Sequence, residues 1–261
     1  MEALSSVLSS VLDLLAPVMC VGCESGANVT AALCERCRDE LRSAVPVAWR
    51  LRAAGHGEYG MRIPAFAAAR YEGVVRSAVL AYKERGRQEL RHELGGALFV
   101  ACLAACRMLV PGVSRGTPVW LVPVPSRRAT VRERGHDAVG GVARAAVAEL
   151  RRVGVRAGVA PVLRQARAVA DQAGLTASER AANLAGALAL RPPRRSAVLR
   201  DHAVIMVDDI VTTGATAAEA WRVLVADGWA GAGVAAIAAT PRRDSARGHL
   251  LPPASGPRLC G

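Results

Sequence analysis

The stretch VIMVDDIVTTGAT, residues 204–216, decides how this chain reads. Four apolar residues run into Asp208 and Asp209. A threonine-rich loop with one glycine then opens into the helical pattern ATAAEAWRVLVADG. A short apolar run followed by turn residues and an amphipathic segment is a strand–loop–helix unit. In an open parallel sheet, ligands bind beyond the carboxyl ends of the strands, and the two aspartates stand at that edge. The loop's backbone N–H groups, its threonine hydroxyls and the positive end of the helix make a receptor for a phosphate group. Thr212, Thr213, Gly214, Ala215 and Thr216 are its candidate contacts, with Gly214 permitting the close backbone approach a phosphate needs.

Two familiar phosphate loops are excluded. A Walker loop would need Gly-Lys-Ser/Thr at a different spacing, and a dinucleotide fingerprint would need G-x-G-x-x-G. The adjacent carboxylates add what a bare phosphate site lacks. They can accept hydrogen bonds from the vicinal hydroxyls of a sugar, or help to place Mg²⁺, which prefers oxygen ligands. A diol site one turn from a phosphate site describes a ribose 5-phosphate.

Working outward, VWLVPVP (119–125), VAPVL (159–163), AVIMV (203–207) and GVAAIAA (233–239) read as strands. Residues 137–154 and the segment after Thr216 read as helices, and Thr176-x-x-Glu179 is a capping box that opens another. This alternation predicts an α/β fold with an open parallel sheet over 117–240. Residues 61–116 are expected to be a helical connecting or hood region, with a helix stop at Gly86. Residues 1–60 carry an amino-terminal amphipathic helix and a four-cysteine knuckle, 45–60 reading as a linker or ragged strand pair. Residues 241–261 are expected to be a disordered tail.

The chain has 261 residues and a formal charge of +12, a sign that favours phosphate-bearing partners without choosing between small molecules and nucleic acid. Glu2 and Asp13 and the absence of a positive leading region argue against a signal peptide. No window of 18 or more uncharged apolar residues marks a transmembrane segment, and the chain reads as cytoplasmic. Cys20-x-x-Cys23 and Cys34-x-x-Cys37 supply four thiolates at a spacing that suits a structural, tetrahedral Zn²⁺. Cys102 and Cys106, at i and i+4 on an Ala/Leu helix, read as core residues. Lys83 is the chain's one lysine, and a lysine in a helical stretch carries no role by that fact alone.

The apolar run, two acids and T-T-G-x-T resemble the signature of type I phosphoribosyltransferases, which bind phosphoribosyl pyrophosphate (PRPP). The segments YKERGR (82–87), LVPVPSRRATVRERGHDA (121–138) and RQARAVADQAGLTASERAANLAGAL (164–188), with the four cysteines, narrow the resemblance to the ComF family. It runs from about residue 14 to 240. The family contains phosphoribosyltransferase-like proteins, some of them linked to DNA uptake in competence. The resemblance implies a type I phosphoribosyltransferase-like sheet under a zinc-knuckle and helical hood, Asp208 and Asp209 as the catalytic acids, and Mg²⁺ bound with PRPP. It also implies a pyrophosphate loop with Ser126, Arg127 and Arg134, and a flexible loop from Arg164 to Gln172. The family's Arg-Gly-Phe-Asn-Gln stands here as Arg134, Gly135, His136, Asp137 and Ala138, without the amide pair.

Two functions compete. One is transfer of ribose 5-phosphate from PRPP to an unidentified nitrogenous acceptor. The other is a non-catalytic PRPP-site protein that binds single-stranded DNA for the competence machinery. The second would need a stacking platform, for which Trp49, Tyr59, Tyr71 and Tyr82 are the candidates.

Overall fold

The structure, a computed structural model, describes residues 19–26, 28–43, 45–52, 62–113, 116–126, 135–167, 176–192, 202–229 and 231–240. A hairpin of β1 (Val29–Thr30) and β2 (Leu33–Cys34) leads into α1 (Glu35–Arg42). Strands β3 (Val47–Arg52) and β4 (Arg62–Arg70) precede helices α2 (Gly73–Glu84) and α3 (Arg91–Leu109). One crossover unit follows, made of β5 (Val119–Pro123), α4 (Ala138–Arg152) and β6 (Ala157–Val159). A small ribbon of β7 (Leu163–Gln165) and β8 (Leu188–Leu190) brackets α5 (Ala177–Leu184). The last unit is β9 (Ala203–Val211), α6 (Ala215–Ala226) and β10 (Gly231–Ala239).

The main sheet has six strands in the order β3-β4-β10-β9-β5-β6. All neighbours are parallel except β3, which pairs antiparallel with β4 at one edge. This is the α/β, parallel-rich open sheet that the alternation predicts. Each inner strand is apolar on both faces, as a sheet covered on both sides requires. Leu121, Ile205, Val207 and Ile237 face α2, α3 and α4. Val122, Val204, Met206 and Val234 face α6 and the β7–β8 ribbon. Helices α3 and α4 meet closely because Gly95 has no Cβ, which would otherwise lie 2.3 Å from the Cβ of Ala145.

The structure departs from the sequence reading in four places. Residues 62–70 open the expected helical region but form β4, beside β10 in the same sheet. Their run of alanines has low strand propensity, and burial of both faces overrides it. Residues 47–52, read as a linker or ragged pair, are the regular edge strand β3. The run 159–163 divides into the end of β6 and the start of β7, because Pro161 has no N–H to continue a ladder. Finally, β9 does not stop at Val207 but continues through both aspartates to Val211.

The capping box forms as read. The Thr176 N–H donates to Glu179 Oε2 at 2.7 Å, and the Glu179 N–H donates to Thr176 Oγ1 at 3.3 Å. Gln88–Leu109 is long and apolar enough by composition to cross a membrane. It is instead a core helix, with Leu94, Leu98, Ala101, Cys102, Ala105 and Cys106 fully packed and Glu93 paired with Arg38. The amino-terminal helix read over residues 4–15 and the tail after 240 lie outside the described residues.

Candidate functional site

Strand order places a crevice where β5 and β9 part. From β5 the chain moves outward through α4 to β6, and from β9 it moves the other way through α6 to β10. Adjacent strands whose connections diverge in this way form a topological switch point. β5 pairs with β9 only as far as Pro123 and Val207, and the Val124 N–H donates to Val207 O at 2.9 Å as the last link. Beyond it β9 runs on with β10 alone, Asp208 opposite Ala236 and Ile210 opposite Ala238. Asp208 and Asp209 are therefore the first residues of β9 to border the crevice, and Ser126, half-buried, lies on the chain leaving β5.

The strand that carries the acids is firmly held. Val204, Ile205, Met206 and Val207 are each at most 1% exposed. Each buried apolar side chain contributes about 1.5–3 kcal/mol, so the acids cannot reach solvent by moving the strand. Their carboxylates also bond locally. Asp208 Oδ1 accepts from the Asp209 N–H at 2.9 Å, and Asp209 Oδ1 accepts from the Ile210 N–H at 2.7 Å. Burial pushes the Asp208 carboxyl well above its ordinary range, and the charge of Asp209 adds to the shift, with the Lys83 ammonium opposing it.

Lys83 is the residue that sequence reading passed over. Its Nζ lies 2.6 Å from Asp209 Oδ2, with both side chains largely buried. The lysine comes from the last turn of α2, whose end is fixed from both sides. Tyr82 donates its hydroxyl to Ala138 O at 3.3 Å, and its ring sits edge-on to His136 at 5.3 Å. His136, Asp137 and Ala138 are the residues at which the sequence departs from the pattern it resembles. Asp137 caps α4 here, accepting from the Gly140 N–H at 3.1 Å. A short acidic side chain does at that position what an amide would do.

After Val211 the chain turns through Thr212 to Gly214 and enters α6. Thr212 is exposed, while Thr213, Ala215 and Thr216 are half-buried. Gly214 is the N-cap in the left-handed region at φ +77°, and a Cβ there would lie 2.6 Å from a methyl of Leu51. The Thr213 hydroxyl accepts from the Ala215 N–H at 3.4 Å, and the next amides of α6 point out of its positive end. Leu51 is 1% exposed and has nowhere to swing. Gly214→Ala is therefore expected to destabilise the protein by about 2–3 kcal/mol, combining left-handed strain with overpacking. Urea unfolding at equilibrium measures it, and a loss under 0.5 kcal/mol would contradict this account of the turn.

Of the other sequence-derived contacts, Arg164 lies in β7, donating from Nε to Leu190 O at 3.1 Å. Arg127, Arg134 and Gln172 lie outside the described residues, as does Tyr59. Trp49 and Tyr71 pack partly buried against the two apolar cores, and Tyr82 is 3% exposed. A groove of about 430 Å³, lined by Trp120, Arg151 and Arg156 among others, opens at the amino-terminal ends of β5 and β6. It lies at the opposite end of the sheet and shares no residue with the crevice.

Far from this crevice in sequence, the four cysteines Cys20, Cys23, Cys34 and Cys37 converge, their Sγ atoms all within 4.8 Å of one another. Cys23 and Cys34 Sγ stand 3.6 Å apart, too far for a disulfide and close to the ~3.8 Å edge of a tetrahedron with ~2.3 Å Zn–S bonds. The set fits a structural zinc, having four protein ligands and no open position. Burial opposes ionisation of Cys20, but N–H groups of Cys34, Cys23 and Gly22 outweigh it and bring that thiol down to about 6. Burial and the neighbouring thiols push Cys37 up.

The knuckle's backbone is strained. Glu24, Asn28, Ala31 and Ala32 all take positive φ, and the last two form the two-residue turn of the β1–β2 hairpin. Such a turn favours Asn-Gly. Ala31→Asn should therefore stabilise the hairpin by about 0.5–1 kcal/mol, whereas Ala32→Gly gains less because Ala32 is packed at 2% exposure. Thermal melting of the zinc-loaded variants distinguishes the two. Arg38 and Arg42 then pin α1 to Glu93 of α3 at 2.9 and 3.2 Å, docking the knuckle on the main core.

Fold and crevice together define an α/β protein with an acid pair and a helix-start loop at a sheet switch point. Among solved structures the chain is similar to the crystal structure of orotate phosphoribosyltransferase from Aeropyrum pernix. The identity is 15%, over 77% of this chain and 90% of that one, with a TM-score of 0.26. No protein-family model and no curated protein matches it.

Proposed function

We propose that the chain binds PRPP with Mg²⁺ and, as a phosphoribosyltransferase of the ComF type, transfers ribose 5-phosphate to a nitrogenous acceptor. The observation that carries this reading is the placement of Asp208 and Asp209 at the switch point, one turn before the Gly214 start of α6. In this reading Thr212 to Thr216 hold the 5-phosphate through backbone amides and hydroxyls. Asp208 and Asp209 take the ribose hydroxyls and offset the positive charge that develops at C1. The C1–O bond breaks with its electron pair leaving on pyrophosphate, and the acceptor nitrogen forms the new bond and then loses its proton. Ser126, Arg127 and Arg134 receive the departing charge. Hard carboxylate oxygens suit Mg²⁺, which supplies charge neutralisation on the pyrophosphate when bound. Packing of Trp49, Tyr71 and Tyr82 against the core gives no support to a single-strand stacking platform.

Calorimetric titration of the zinc-loaded protein with PRPP and Mg²⁺ tests the reading, alongside the Asp208→Ala/Asp209→Ala variant. Saturable binding that the variant abolishes supports it and justifies screening acceptors for pyrophosphate release. A folded, zinc-replete native protein that binds no PRPP would sink it.

A further inference from the structure

The crevice already contains a cation. Lys83 Nζ stands 2.6 Å from Asp209 Oδ2, and the pair is shielded, the side chains being 23% and 11% exposed. This is a built contact and not a chance surface pair. Val75, Ala78, Val79 and Tyr82 bury α2 in the same core as Ile205 and Val207 of β9, so the two backbones are fixed relative to each other. Past Glu84 the helix is closed off by Gly86 at φ +67°, and the Arg87 N–H returns to Ala81 O at 3.1 Å. The lysine thus leaves a rigid helix end toward a rigid strand end.

That arrangement changes what the acid pair can bind. Two free adjacent carboxylates attract a divalent ion from solution, but Mg²⁺ dehydrates reluctantly and needs several well-placed oxygens. With Asp209 engaged by an ammonium, one carboxylate remains, and a positive charge sits where the metal would come. We propose that Lys83 is the resident cation of the Asp208–Asp209 pair, excluding free divalent metal so that metal enters only when already chelated by a polyphosphate ligand. The last step rests on the PRPP reading, whereas the exclusion of free metal does not.

Free Mn²⁺, followed by its electron paramagnetic resonance signal, is the probe, with the zinc-loaded full chain and no PRPP. The native protein should show no saturable site that depends on the aspartates. Lys83→Met should gain one site, with affinity raised on the order of tenfold or more, and Asp209→Asn in that background should remove it. Lys83→Arg keeps the charge and should keep the site closed. Because Lys83 is the only lysine, chemistry on the native chain repeats the test without mutation. Acetylation should open the site and reductive dimethylation, which retains the charge, should not, with Lys83→Arg as the control for the amino terminus. Equal Mn²⁺ affinity in native and Lys83→Met proteins, or no site after either neutralisation in folded protein, would overturn the proposal. Failure of native protein to bind PRPP would remove the polyphosphate step and leave the Mn²⁺ result standing.

Discussion

Cys34→Ser is expected to release the zinc and unfold the amino-terminal knuckle, leaving the six-stranded sheet in place. Without the metal the knuckle's hold is core packing and the two ion pairs to Glu93. Its hairpin is two residues per strand, and four of its non-glycine residues sit at positive φ. Glu24, Ala31 and Ala32 are each disfavoured there by about 1–2 kcal/mol, Asn28 less, so the bare backbone would relax. What opposes relaxation is packing of Leu33, Cys37 and Leu41 against α2 and α3, together with the cross-link that a zinc on the four sulfurs would supply. Structural zinc contributes roughly 10–16 kcal/mol of apparent binding energy in small zinc domains, and a zinc on these four sulfurs would serve largely to hold a strained loop. Zinc content per chain, limited proteolysis over residues 19–43 and thermal melting measure the change. Near-stoichiometric zinc should fall to background, and cleavage should appear between Cys20 and Leu41. Chelation of the native protein should reproduce both effects and added zinc should reverse them. A variant without zinc that resists protease as the native protein does would mean that the thiols merely pack.

The knuckle and the β9–α6 unit were both legible because their information is local. Two C-x-x-C pairs, or an apolar run that changes into two acids and a glycine-bearing loop, declare themselves over a dozen residues. β4 was not legible, since RIPAFAAAR has the local composition of a helix and becomes a strand only because β3 and β10 flank it and helices cover its faces. The same applies to β7 and β8, three residues each, which exist through their mutual pairing. Lys83 shows the limit most clearly. Nothing near it in the chain indicates Asp209, and the contact arises only when α2 packs across the face of β9. Ala31 and Ala32 hide in the other direction, because their turn contradicts their local preference and is imposed by the cysteines around them.

Asp208 predicts a trade of function for stability. At neutral pH the ligand-free protein should gain stability when Asp208 is replaced by Asn. The Asp208 carboxyl is raised well above its ordinary value by burial and by the charge of Asp209. A group raised in the folded state contributes stability below its unfolded value of about 3.9, and loses it as pH rises through the folded value. At pH 7 the native protein therefore carries this penalty, and Asn, an uncharged isostere of the protonated form, does not. Asn also keeps an oxygen for the Asp209 N–H that Asp208 now receives at 2.9 Å. Substitutions that relieve a strained functional position commonly yield about 0.5–2 kcal/mol, or roughly 2–6 °C in a chain of this size. The gain should shrink toward zero as pH falls below about 3, where both proteins are neutral at this position in both states. If the proposed PRPP site is correct, PRPP affinity should move the other way, falling by roughly tenfold to a hundredfold as hydrogen bonds to a charged acceptor are lost. Melting curves at about pH 3 and pH 7, paired with PRPP titration, test both halves. A variant less stable than the native protein at pH 7 would show that Asp208 is held by a favourable partner, and that the site is a structural ion cluster, not one poised for a ligand.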